Sequence, residues 1–249
     1  MARRLEIDQY LSALLQPERF KDYGPNGLQI EGRDEVRRLV SGITASLALI
    51  DAAIDAQADA LLVHHGLFWR GYEGRITGWL KQRIARLLAH DISLYAYHLP
   101  LDAHAEFGNN AQLGARLGVS AAARFGEQSL GFIGTLSVPT SVAEMADRCA
   151  GLSGRQATAI KGDGRPVARV AWCTGGAQSY FESAIAAGAD LFITGEISEP
   201  QAHLARETGV AFMAMGHHAS ERYGVQALGV HLAAAFGIEH RHIEIDNPA

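Results

Sequence analysis

The sequence lacks most of the features that mark secreted, membrane-bound or thiolate-metal proteins. Its 249 residues include only two cysteines, Cys149 and Cys173, which lie far apart and form no CxxC motif. This usage fits a reducing compartment and argues against a zinc–thiolate site. No apolar run approaches the roughly 18 residues of a membrane span, and the N-terminal stretch is broken by charge, unlike a signal peptide. A cytoplasmic protein with no membrane partner is therefore predicted.

An excess of positive charge and the common phosphate and nucleophile motifs are also missing. The net charge of −5 gives no reason to expect a nucleic-acid surface. No serine stands in a Gly-x-Ser-x-Gly elbow. The glycine-rich stretch "WCTGG" (172–176) precedes a predicted helix and could cradle an anion, but it lacks the GxGxxG pattern or a Walker lysine. A plain strand-to-helix turn is the favoured interpretation of this stretch.

What the sequence does contain is an internal repeat. "AIDAQADALLVHHG" (53–66) and "AIAAGADLFITGEI" (184–197) match without a gap at an offset of 131 residues. Each half reads strand, helix, strand, over 40–44, 47–57 and 60–64 and over 168–173, 178–188 and 190–194. Alternating strands and helices predict βαβ units. The expected fold is α/β, a duplicated α/β unit of two intertwined repeats with mixed, largely parallel sheets.

The repeat also includes a pair of polar motifs, each of which supplies a histidine and a carboxylate. "ISLYAYHLPLD" (92–102) resembles "AFMAMGHHASE" (211–221), and in each an apolar strand ends in a histidine that precedes a carboxylate by four residues. Each motif comes before an apolar-periodic helix, predicted over 109–118 and 224–237. We therefore predict two repeats, 1–125 and 126–249, with a metal site shared between them.

The polar residues of the repeat all follow predicted parallel strands, where ligands bind in open α/β sheets. They supply imidazole and carboxylate but no thiolate, a set that suits Zn, Mn, Fe or Co. The candidate residues are His64, His65, His98, Asp102, Glu196, His217 and Glu221.

Several roles stay open from the residues alone. Adjacent strand residues point to opposite faces, so His64 and His65 share one pocket only if the strand ends there, or they serve two neighbouring ions, one each. His98 is predicted to support the ligands or the fold from outside the ligand set. Glu196 is a candidate catalytic base, an orienter of a ligand, or a structural carboxylate.

Several long motifs in order resemble the family of GTP cyclohydrolase 1 type 2 homologues, the Nif-three-like dinuclear metal-binding proteins, in its bacterial branch. The resemblance covers about residue 23 to the C-terminus. The motifs that carry it are "PNGLQIEG", "GITASLALIDAAI", "VHHGLFWRG", "YHLPLDAHAEFGNNAQL", "RVAWCTGGAQ", "FITGEISE" and "GHHASER".

The resemblance implies a toroidal homohexamer, a trimer of dimers, with a two-metal site facing its cavity. It implies two divalent metal ions per chain. The implied ligands are His64, His65, Asp102, His217 and Glu221. Five side chains give each of two ions three ligands only if one bridges, and a carboxylate can bridge where a neutral imidazole cannot. We predict Glu221 as the bridge because its side chain is longer than that of Asp102.

The function expected from these features is hydrolysis by a metal-activated water. Two divalent ions can clamp an oxygen-rich group, which favours a nucleotide or a related phosphorylated small molecule as substrate. The alternative is a non-catalytic metal-binding or partner-binding protein. The sequence alone supports both.

Overall fold

The computed structural model describes residues 2–249 and has the duplicated α/β fold that the sequence predicts. Two compact units make up the chain. The first is Met1–Gly108 with Gly224–Asp246, and the second is Asn109–Tyr223 with Asn247–Ala249. The predicted boundary between residues 125 and 126 divides the chain by its sequence repeat, whereas these units are defined by their internal contacts. The boundary of the repeat therefore stays a prediction.

Helices and strands alternate through most of the described residues. The strands are β1 Ala2–Arg3, β2 Gly27–Ile30, β3 Glu35–Val36, β4 Arg38–Thr44, β5 Ala60–His65, β6 Ser93–Ala96, β7 Val119–Phe125, β8 Gly131–Thr140, β9 Thr158–Ile160, β10 Val167–Trp172, β11 Leu191–Thr194, β12 Ala211–Ala214 and β13 Glu239–His242. The α-helices are α1 Arg4–Leu15, α2 Leu47–Asp55, α3 Gly78–Ala89, α4 Leu99–Ala103, α5 Asn109–Leu117, α6 Val142–Ser153, α7 Phe181–Ala186, α8 Glu199–Thr208 and α9 His217–Phe236. Short 3-10 turns occupy Pro17–Arg19, Glu127–Ser129 and Gln178–Tyr180. Among the helices of residues 2–249, none combines the length and apolar character that crossing a membrane requires.

The first unit is built on a sheet with the strand order β13-β4-β5-β6-β2. Strands β4, β5, β6 and β13 are parallel, and only β2 runs antiparallel, against β6. Side chains alternate between two cores, as successive strand residues must. In β4, Leu39 and Ile43 pack towards α1 and the end of α9, whereas Val40 packs towards α2 and α3.

The second unit contains a sheet with the order β7-β8-β10-β11-β12-β9. Its central strands β10, β11 and β12 are parallel, and β7, β8 and β9 join them through antiparallel pairs. One face buries Trp172 with residues of α5 and α6. On the other face Phe192 contacts Phe181 of α7 and Phe212 of β12. A capping box of Ser141 and Glu144 begins α6.

The offset of 131 residues is preserved in the pairing of the strands. Leu39 pairs with Ala60 across β4 and β5, and Val170 pairs with Leu191 across β10 and β11. Both positions of the second pair lie 131 residues after those of the first. The two halves therefore share strand register as well as sequence pattern.

In each half an aspartate binds the backbone at the start of the parallel strands; Asp59 is buried and Asp190 is partly buried. The carboxylate of Asp59 accepts hydrogen bonds from the backbone N–H groups of Arg37 and Arg38, at 2.8 and 2.9 Å, and pairs with Arg33 at 2.9 Å. The matching group of the second half is Asp190 with the backbone N–H groups of Ala168 and Arg169, at 3.0 and 2.8 Å. These aspartates supply acceptors for N–H groups that the sheet does not pair.

We expect Asp59→Ala to lower the free energy of unfolding by about 2–3 kcal/mol, because buried donors left without acceptors are costly. Urea denaturation at neutral pH measures this change. Asp55→Ala, which removes an exposed carboxylate at the end of α2, is the matched control and should stay within about 0.5 kcal/mol of the wild type. Equal stabilities for the two variants would contradict the role given to Asp59.

Candidate metal centre

Three histidines come together in the first unit at the carboxyl end of its parallel strands. His64 and His65 are the last two residues of β5, and His98 follows β6 by two residues. One ring nitrogen of each lies within 4.8 Å of the other two. The structure therefore brings His98 into the same group as the adjacent pair. Whether it binds an ion or supports the ligands stays a prediction.

The Nδ1 atoms of His64 and His65 are both engaged by oxygen atoms of the fold. His64 is fully buried, and its Nδ1 lies 2.9 Å from the carbonyl oxygen of Tyr97, to which it donates. Nδ1 of His65 lies 3.2 Å from the hydroxyl of Thr44 on the neighbouring strand β4. Histidines that bind metals use one nitrogen in this way and present the other to the ion.

Nδ1 of His98 is engaged by Asp22, a residue that no motif of the sequence indicated. Its carboxylate lies 2.6 Å from Nδ1 of His98 and also accepts from the backbone of Leu99 at 3.0 Å and from Asn26 at 2.8 Å. Burial raises the pKa of Asp22, but the hydrogen bonds from His98, Asn26 and Tyr23 outweigh it and hold that pKa below its usual value. Asp22 is thus a buried anion that fixes the ring of His98.

Asp102 completes the polar group of the first unit. It lies in α4, which begins directly after His98, and its side chain is only 9% exposed. One carboxylate oxygen of Asp102 is 3.5 Å from Nε2 of His64. The first unit therefore gathers imidazole and carboxylate donors in one buried place, the donor set expected for Zn, Mn, Fe or Co.

The second unit carries a histidine held between two carboxylates. Nδ1 of His217 lies 2.6 Å from Glu196, and its Nε2 lies 3.1 Å from Glu221. The helix predicted over 224–237 is present but begins earlier, because α9 starts at His217 itself. His217 and Glu221 are thus one helical turn apart on the same face, and Glu196 follows β11.

The two carboxylates also control the charge of His217. Burial lowers the pKa of this histidine, but hydrogen bonds and charge from Glu221 and Glu196 outweigh burial and raise it to about 9. In the absence of a metal the ring is therefore protonated at neutral pH. Since a ligating imidazole must be neutral, a metal bound at Nε2 competes with a proton, and its affinity falls as pH decreases below about 9.

The glycine-rich stretch forms a turn whose polar groups are used within the fold. The N–H of Gly175 donates to the hydroxyl of Ser220 at 2.9 Å, and its carbonyl accepts from Thr194 at 3.0 Å. Gly175 has a left-handed φ of +69°, and a Cβ at this position would overlap the carboxylate of Glu221. The turn therefore supports Glu221 directly, which favours the plain-turn interpretation over an anion cradle.

The repeat places Gly195 and Glu196 where the first half has His64 and His65. Gly195 lies where two backbone segments meet: a Cβ there would be 2.6 Å from the carbonyl oxygen of Gly175 and 2.6 Å from Cα of His217. No side chain fits in that space. The second half therefore has a histidine that starts a helix, not a histidine pair at a strand end.

Comparison with known protein families shows to which family the chain belongs. The chain matches the family described as Duf34/NIF3 (NGG1p interacting factor 3) over residues 2–248. The chain is a member of the Duf34/NIF3 family. The family resemblance drawn from the motifs of the sequence is confirmed.

The similarity to relatives of the Duf34/NIF3 family extends over the whole chain. It is 50% identical over 249 residues, covering all of both chains, to a protein of Neisseria meningitidis named GTP cyclohydrolase 1 type 2 homolog. A Pseudomonas aeruginosa protein of the same name is 51% identical, covering 98% of this chain and 96% of its own. Among solved structures, protein ybgI, described as of unknown function, is 45% identical with a TM-score of 0.95, covering 99% of this chain and all of its own.

Proposed function

We propose that this Duf34/NIF3 chain is a metal-dependent hydrolase of a nucleotide or a related phosphorylated small molecule. The proposed ligands of two divalent ions are His64, His65, Asp102, His217 and Glu221. Ions held there would supply Lewis acidity to an oxygen-rich substrate and would lower the pKa of a water. The names of the Neisseria and Pseudomonas relatives support a nucleotide as the first substrate class to examine.

The observation that carries the proposal is the common orientation of four histidines. In His64, His65, His98 and His217, Nδ1 is engaged by an oxygen atom of the fold. An acceptor on Nδ1 fixes the ring and presents Nε2, and metal-ligating histidines are almost always supported in this manner. Histidines that serve only packing have no need of one shared orientation.

Glu196 is proposed as a positioning residue rather than as the catalytic base. Its carboxylate is 2.6 Å from Nδ1 of His217, so its lone pairs are directed at the ring that would carry an ion. In the same way, Asp22 positions His98. A carboxylate that orients a histidine typically changes metal affinity about 10- to 100-fold when it is removed.

Metal content tests the proposed ligands. Protein stripped with a chelator and reloaded is expected to hold close to two first-row divalent ions per chain, and His65→Ala should lower that number because it removes a ligand. Elemental analysis after gel filtration gives the stoichiometry. His203→Ala is the control, since His203 is exposed on α8 and pairs with Glu199. A wild-type protein that binds no metal after reloading would contradict the proposal.

Turnover separates hydrolysis from the alternative of a non-catalytic metal-binding protein. Metal-loaded protein should release product from at least one member of a panel of nucleotides, phosphoesters and amides, and Glu221→Gln should abolish that release. Turnover that survives both chelation and Glu221→Gln would contradict a metal-dependent reaction.

Three further properties stay proposals: the homohexamer, the metal site shared between the two repeats and the cytoplasmic location. Light scattering checks the homohexamer.

A further inference from the structure

A second polar pocket lies beside His217 in the second unit. Its volume is about 390 Å³, within the range of small-molecule sites. It opens where β11 and β12 end, which is the edge of a parallel sheet at which ligands bind. Residues that line it include Arg155, Gln156, Thr158, Glu196, Met215 and His217.

Arg155 is anchored at the wall of this pocket. The hydroxyl of Ser153 donates to the carbonyl oxygen of Arg155 at 2.9 Å and accepts from its N–H at 3.3 Å, and Ser153 is itself buried. The guanidinium reaches over Gly216, since a Cβ at Gly216 would lie 3.3 Å from Nη1 of Arg155. Gly216 directly precedes His217. The backbone of Arg155 is thus fixed while its charged end lies next to the histidine.

Within residues 2–249 no carboxylate forms an ion pair with Arg155, whereas Arg165 of the same unit pairs with Asp163 at 2.7 Å. The C-terminal residue Ala249 also lines the pocket, and its backbone oxygen lies 3.2 Å from the same Cβ position at Gly216. Glu196, the acidic residue of the pocket, is engaged by His217. An anionic ligand would therefore meet an exposed guanidinium with its donors available.

We propose that this pocket binds the phosphate end of the substrate and that Arg155 recognises it. The inference rests on the proposed function, because it places the remainder of the substrate towards His217. A guanidinium presents parallel N–H groups that match phosphate oxygens in a bidentate geometry. Thr158 and Gln156, on the same wall, add a hydroxyl and an amide as hydrogen-bond donors. The ligand class is a phosphomonoester of nucleotide size.

Calorimetric titration with AMP, and with adenosine as its uncharged counterpart, tests the assignment. Wild-type protein should bind AMP more tightly than adenosine, and Arg155→Ala should weaken AMP binding about 10- to 100-fold while leaving adenosine unchanged, as expected for a charged hydrogen bond. Arg155→Lys keeps the charge but loses the bidentate geometry, so its AMP affinity should lie between those of the wild type and Arg155→Ala. Arg206→Ala removes an exposed arginine of α8 outside the pocket and should bind AMP as the wild type does.

The titration is run on stripped and on metal-loaded protein, so that this inference and the proposed function fail separately. Equal AMP affinity in the wild type and Arg155→Ala overturns the assignment of Arg155, as does a wild type that binds AMP no better than adenosine. Either result leaves the metal content untouched. Arg155-dependent AMP binding in a protein that never holds metal would support the pocket and overturn only the hydrolase.

Discussion

The Gly175→Ala protein is expected to lose metal from the pair formed by His217 and Glu221, although it changes neither residue. A Cβ at Gly175 would overlap the Glu221 carboxylate and would lie 3.3 Å from Nε2 of His217. The carboxylate must therefore move, and Ala also pays about 1 kcal/mol for the left-handed φ. We expect metal affinity to fall at least 100-fold, measured by competition with a chromophoric chelator.

Gly164→Ala is the matched control for this experiment. Gly164 also has a left-handed φ, +79°, but a Cβ there has nothing within 4 Å. The control therefore carries the backbone strain without the overlap, and its metal affinity should equal that of the wild type. If both variants lose metal alike, strain is the cause and the support of Glu221 by the turn is refuted.

The second large effect is expected from Asp22→Ala, in the loop between α1 and β2. The side chain of Asp22 is 4% exposed, and its loss leaves the ring of His98 and the N–H of Leu99 without their acceptor. A buried donor left without its acceptor costs about 1–3 kcal/mol, and Asp22 is the acceptor for more than one such donor. Urea denaturation at pH 7 should show a loss of that size. Glu18→Ala, an exposed carboxylate of the same loop region, should show almost none.

The pH dependence of this loss has a definite sign. The pKa of Asp22 is lower in the folded protein than its ordinary value of 3.8, so the unfolded chain takes up the proton first. Its stabilisation is fully present above pH 3.8 and decreases as pH falls through the folded pKa. The stability difference between wild type and Asp22→Ala should therefore become smaller in acid. A difference that stays constant from pH 7 to pH 3 contradicts an ionised Asp22.

The repeat, the fold and the histidine pair could be predicted because each leaves a local pattern. Apolar runs that end in turns indicate the strands. A repeat at one constant offset can be detected even where the exact ends of the strands are not known. The end of β5 was therefore predicted to within one residue, and the pair His64 and His65 was placed at the carboxyl edge. Nothing beyond the sequence of each segment is needed for such predictions.

The start of α9 and the role of Asp22 could not be predicted, for different reasons. Residues 217–223 contain few apolar side chains, so the helical period becomes visible only from 224 onwards. Asp22 lies 76 residues before His98 in an irregular loop, and its role depends on a tertiary contact. β13 was also missed, because its residues Glu239–His242 are all polar and its place in the sheet depends on the pairing with β4.

The crowding at Gly195 has a consequence for the history of the two copies. A gene that doubles at first encodes two equal halves, and either half can take up or give up a histidine pair. With the first residue of α9 packed against position 195, no side chain fits there in the second copy. A designer who wishes to give the second half a histidine pair like that of the first must therefore rebuild the start of α9 before placing a histidine at position 195.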